Sequence, residues 1–62
     1  MVEERTDACG RKYYVVSGEI TLWVDGAIHI RTSEPHGDPV EINGDEAQDL
    51  VDLLIKLIAE IR

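Results

Sequence analysis

The residues able to do chemistry in this chain are few and scattered. Cys9 supplies a thiol, His29 and His36 supply imidazoles, and His36-Gly37-Asp38 sets an imidazole beside a carboxylate. A zinc site or an activated thiol is built from these types. Their spacing argues against it: no pair stands at Cys-x-x-Cys or at the i, i+4 helical spacing, and Cys9 meets His36 only if two distant segments fold together. His36 therefore reads as a polar loop residue, and Cys9 as a free thiol. His29 falls in a β-type pattern, where it reads as a half-exposed strand residue with the capacity to respond to pH. The glycines occur singly, so none builds a phosphate-cradling loop. These residues imply no cofactor, no metal and no catalytic group.

Two other constellations carry recognition chemistry. Asp38, Glu41, Asp45, Glu46, Asp49 and Asp52 fall in one stretch with no Lys or Arg before Lys56. On a helix, Asp45, Asp49 and Asp52 share a face at a rise of ~5–6 Å per turn, comparable with phosphate spacing. Such a strip suits an inhibitor that mimics nucleic acid, as phage-encoded anti-nuclease proteins do. It equally suits an ordinary solvated helix face whose early acids complement the dipole and whose Asp52 supports Lys56. The second constellation is aromatic. Tyr14, Val16 and Trp23, with His29 and Arg31, form an apolar patch with a charged rim, the composition of a protein–protein hot spot.

Composition bounds what these groups can serve. The 62 residues make one domain near the lower size limit for independent folding. A single cysteine forbids an internal disulfide and fits a reducing compartment, so self-association is the expected source of extra stability. A net charge of −7 argues against direct nucleic-acid binding and against docking on an anionic membrane. Met1 to Asp7 is charged, unlike a secretory signal, and no apolar run is long enough to span a bilayer. The expected location is the cytoplasm.

The elements that position these residues follow from periodicity. Residues 1–11 show no apolar period and read as a mobile tail preceding a single domain at 12–62. Strands are predicted near 12–16, 19–24 and 27–32, with a short fourth at 39–42 as an extension. A two-residue Ser17-Gly18 turn sets Val15 opposite Ile20 and Tyr13 opposite Leu22. A bulged loop at Gly26 sets Ile20 opposite Ile30, Leu22 opposite Ile28, Thr21 opposite His29 and Glu19 opposite Arg31. Tyr13, Val15, Ile20, Leu22, Ile28 and Ile30 then share the inner face, leaving Tyr14, Val16, Trp23, His29 and Arg31 outside.

A helix is predicted from 44 to 61, capped by Asn43 with Glu46 in capping-box position. Ala47, Leu50, Val51, Leu54, Leu57, Ile58 and Ile61 repeat at helical spacing and form the stripe expected to cover the sheet. Leu53 and Ile55 widen the apolar arc beyond what one sheet face needs, so Leu53, Ile55 and Leu57 are the expected dimer surface. The fold expected is α+β: a three-stranded antiparallel β-meander, or four-stranded with 39–42, packed on one C-terminal amphipathic helix. The expected role is that of a small non-enzymatic module, homodimeric, that binds another protein. The alternative is the acidic mimic acting through Asp45, Asp49 and Asp52.

Overall fold

The computed structural model describes residues 1–33, 36–37 and 39–62. Strands β1 (Val2–Thr6), β2 (Lys12–Val16), β3 (Ile20–Val24) and β4 (Ile28–Thr32) form one antiparallel sheet in the order β1-β2-β3-β4. Helix α1 (Gly44–Ile61) packs on one face of it. The α+β meander on a C-terminal helix is thus as the sequence implies, with its fourth strand elsewhere.

That fourth strand is the segment predicted to be a mobile tail. Its composition hides it, because VEERT offers no apolar period. Backbone pairing and its turn hold it instead. Asp7 closes the β1–β2 hairpin: its Oδ1 accepts the N–H groups of Cys9 and Arg11 at 2.9 Å each, and Gly10 takes a positive φ of 83°. Glu4 on β1 lies diagonally across from Lys12 on β2, two residues from direct opposition, and their side chains pair at 3.2 Å. Residues 39–42, expected to be a strand, make no ladder. Val40 and Ile42 are half-buried against the core without joining the sheet. The loop expected at 33–38 lies partly outside the described residues.

The face assignment of β2 is inverted relative to expectation. The Ser17-Gly18 turn does form, with positive φ at both residues (54° and 72°) and the Glu19 N–H donating to the Val16 carbonyl at 3.1 Å. Yet the ladder pairs Val16 with Ile20 and Tyr14 with Leu22. Glu19 is an extra residue on one side only, and its carbonyl instead accepts the Ser33 N–H at 2.9 Å. A one-residue slip moves every side chain of a strand to the other face. Tyr14 and Val16 therefore go under the helix, and Tyr13 and Val15 go to the opposite face, where Val15 is nevertheless buried.

The β3–β4 loop also differs, with a milder result. Asp25, Gly26 and Ala27 make a three-residue connection, so Leu22 faces Ile30, Thr21 faces Arg31, Trp23 faces His29 and Ile20 faces Thr32. The expected Ile20–Ile30 and Glu19–Arg31 pairs do not form. The shift is two residues, and an even shift preserves the faces. Trp23, His29 and Arg31 remain outside as expected.

The helix begins where predicted. Asn43 Oδ1 accepts the Glu46 N–H at 2.8 Å, and the Glu46 carboxylate accepts the Asn43 N–H at 3.0 Å. Its roll differs, however. Leu53 and Leu57 are its buried residues, whereas Leu54 is only half-buried. The core gathers Tyr14, Val16, Ile20, Leu22, Leu53 and Leu57. The acidic flank of the helix faces the β1–β2 side. The Lys56 ammonium lies 4.8 Å from the Tyr14 ring centroid, and the Met1 amino group pairs with Asp49. The helix buries Leu53 and Leu57 against the sheet and leaves Val51, Ile55 and Ile58 exposed.

Candidate interaction surfaces

The first surface lies on the β4 side of the helix. Ile30 is 57% exposed, Ile55 62%, Val51 47% and Ile58 40%. Val51, Ile55 and Ile58 follow at four- and three-residue spacing, and so form one continuous strip. The opposite flank is fixed by a shallow cavity in which Asp49, Asp52, Leu53 and Lys56 meet Val2, Glu4 and Tyr14. That flank looks toward β1, so the apolar strip looks toward β4. There Ile28 and Ile30 share the helix side of the sheet with Leu22.

Charge is segregated in the same sense. At 3.6 residues per turn, Asp45, Glu46, Asp49, Asp52 and Glu60 fall within roughly 120° of the helix circumference. The strip of Val51, Leu54, Ile55 and Ile58 carries no acid. Of the residues predicted to form the dimer surface, Ile55 lies on this strip. Leu53 (4% exposed) and Leu57 (0%) are core residues and cannot reach a partner in this fold. The sequence displays Val51 and Ile58 as apolar but assigns them to the wrong stripe, because periodicity alone does not fix the roll of a helix.

The second surface is the outer sheet face. Trp23 and His29, opposite one another across β3 and β4, stack with centroids 5.3 Å apart and planes 7° from parallel. The Arg31 guanidinium sits 5.7 Å from the Trp23 centroid. Asp7, Arg11, Tyr13, Thr21, Trp23 and Arg31 line an open depression. Arg11 is tethered at 3.4 Å to Asp25, tying the β1–β2 turn to the β3–β4 loop. Trp23, His29 and Arg31 from the predicted partner surface are thus brought together. Tyr14 (3% exposed) and Val16 (0%) are not, since both lie under the helix. Tyr13 takes the place given to Tyr14; the cue missed was the extra residue at Glu19.

The acidic strip is partly engaged within the molecule. Asp49 pairs with the Met1 amino group, whose pKa is raised foremost by that hydrogen bond. Asp52 accepts a hydrogen bond from Gln48 at 3.0 Å. Asp45 sits exposed in the first helical turn. Beside them, Glu4 is lowered and Lys12 raised, each mainly by the other.

Cys9 is an exposed thiol at the β1–β2 turn, and His36 is exposed on the β4–α1 connection. Among the described residues, no three His, Cys, Asp or Glu side chains converge to hold a metal ion. No described helix is long and apolar enough to cross a membrane. Compared with known protein families, curated proteins and solved structures, the chain matches none.

Proposed function

We propose that this protein is a homodimeric interaction module that works by binding another protein rather than by catalysis. The observation that carries the reading is the acid-free strip of Val51, Ile55 and Ile58 beside Ile30, each 40% or more exposed in a 62-residue chain. Leaving such side chains in water forgoes ~1.5–3 kcal/mol of transfer energy for each one fully buried. A chain this small, without a disulfide, gains most by covering them with a second copy. The outer face of Trp23, His29, Arg31 and Tyr13 then stays open for the other protein, with aromatic and arginine anchors of the kind that dominate binding energy.

The nucleic-acid-mimic alternative rests on Asp45, Asp49 and Asp52. It is weakened by the engagement of Asp49 with Met1 and of Asp52 with Gln48. Thermal unfolding across a concentration series tests the dimer. If the folded state is dimeric, Tm rises with protein concentration by mass action, and Ile55→Glu removes that dependence. A Tm independent of concentration in the wild-type chain contradicts the reading.

A further inference from the structure

We infer that the second copy docks strand to strand: β4 pairs antiparallel with β4 of its partner about a two-fold axis near Ile30, joining two sheets into one beneath both helices. The inference rests on the homodimer reading and goes beyond it by naming the interface.

The backbone shows which atoms are open. Ser33 donates to Glu19 and Asp25 donates to Ala27, at 2.9 Å each, flanking the β3–β4 ladder. Antiparallel hydrogen-bonded pairs recur at every second residue, so Arg31 and His29 aim their N–H and C=O groups at β3. Ile28, Ile30 and Thr32 therefore aim theirs at the free edge. β4 carries no proline and no acid, and four of its five residues are exposed. An edge of this kind is a template for strand pairing unless something covers or charges it. β1, the other edge, is protected: it carries Glu3, Glu4 and Arg5, and Glu4 pairs with Lys12.

A second copy fits this edge better than an unrelated strand does. A two-fold axis perpendicular to the sheet makes β4 antiparallel to its mate and keeps both helices on one side. Because the apolar strip lies on the β4 flank of the helix, the same operation brings the two strips toward each other. Ile30 then faces Ile30 of the partner, and Ile28 faces Thr32 of the partner, so the apolar face continues across the junction. The electrostatics agree. Two chains of charge −7 repel, yet all helix acids lie on the flank turned away from the junction. Exposed aliphatic side chains of this number make a patch of several hundred Å². Two such patches with the strand backbones approach the ~1,000 Å² that a specific interface needs.

The test combines amide exchange on the wild-type protein with cysteine cross-linking in a Cys9→Ser background. In the dimer, the amides of Ile28, Ile30 and Thr32 should exchange at least about tenfold more slowly at high than at low protein concentration. Those of His29 and Arg31, bonded to β3, should stay slow throughout. A hydrogen-bonded antiparallel pair sets Cα atoms about 5.5 Å apart, within disulfide range. Ile30→Cys should therefore cross-link two copies under mild oxidation, and Thr6→Cys on the β1 edge should not. If the protein is dimeric by mass but the three edge amides exchange equally fast at both concentrations, the strand-paired interface is wrong and the dimer stands. If it is monomeric by mass, both fall.

Discussion

Leu22 and Ile30 lie directly opposite each other on the helix side of the sheet, yet Leu22 is 0% exposed and Ile30 57%. The boundary of the core crosses β4, between Ile28, half-buried against the core, and Ile30. The helix contacts β1, β2 and β4, but its cover of β4 stops short of Ile30. That partial cover leaves Ile30 and the adjoining helix flank as the exposed apolar surface of the proposed dimer. It also separates residues that hold the fold from residues proposed to hold a dimer.

The core side of that boundary should respond to truncation in the usual way. Leu57→Ala removes a fully buried side chain from the centre of the helix–sheet contact. It should cost ~2–5 kcal/mol, a large part of what a small domain has. Leu54→Ala, at a half-buried position, should cost less. Chemical denaturation of both variants checks the order, and an equal or reversed cost contradicts the helix roll.

The capping box should contribute measurably. Asn43→Ala removes the acceptor for the Glu46 N–H and should destabilise the protein by about 1 kcal/mol. Denaturant midpoints at one fixed protein concentration read this, because the proposed dimerisation would otherwise shift them.

Acid should act through Glu46. Its carboxyl is held below the ordinary glutamate range, foremost by the hydrogen bond from the Asn43 N–H. A carboxyl with a depressed folded pKa stabilises above its unfolded pKa of about 4.3 and loses that contribution as pH falls through the folded value. The stability difference between wild type and Glu46→Gln should be constant above about pH 5 and shrink as pH falls below the unfolded pKa and through the folded one. A difference that persists unchanged into acid rules this linkage out.

The two recognition hypotheses separate by charge. Replacing Asp45, Asp49 and Asp52 together with Asn should leave binding of the protein partner intact, while Trp23→Ala should abolish it. Binding measured at rising ionic strength adds a second readout, since a mimic of nucleic acid should weaken steeply with salt. Loss of binding in the triple variant, with the fold intact by circular dichroism, favours the mimic.

What the sequence made legible was whatever is decided locally. Asn43 and Glu46 cap each other three residues apart, so the start of the helix needed no tertiary knowledge. Gly26 marked the β3–β4 loop, and Trp23 with Arg31 marked the outer face. The misread features depend on distant partners. Val2–Thr6 is polar, and only its pairing with β2 makes it a strand. The faces of β2 hinge on Glu19, whose carbonyl serves Ser33 on β4. The roll of the helix depends on Leu53 and Leu57 meeting Tyr14, Val16, Ile20 and Leu22, contacts between segments far apart in sequence. Tyr14, Val16, Leu53 and Leu57, which the sequence pattern places on surfaces, belong to the core for these reasons.

Self-association through the strip beside Ile30 is the claim on which the rest depends, and sedimentation equilibrium tests it most directly. Wild-type protein at high micromolar concentration should show twice the 7.0 kDa mass of one chain. On dilution it should dissociate reversibly, and Ile55→Glu should remain a folded monomer at every concentration. A wild-type mass of one chain across the whole series, with the helix intact by circular dichroism, contradicts it.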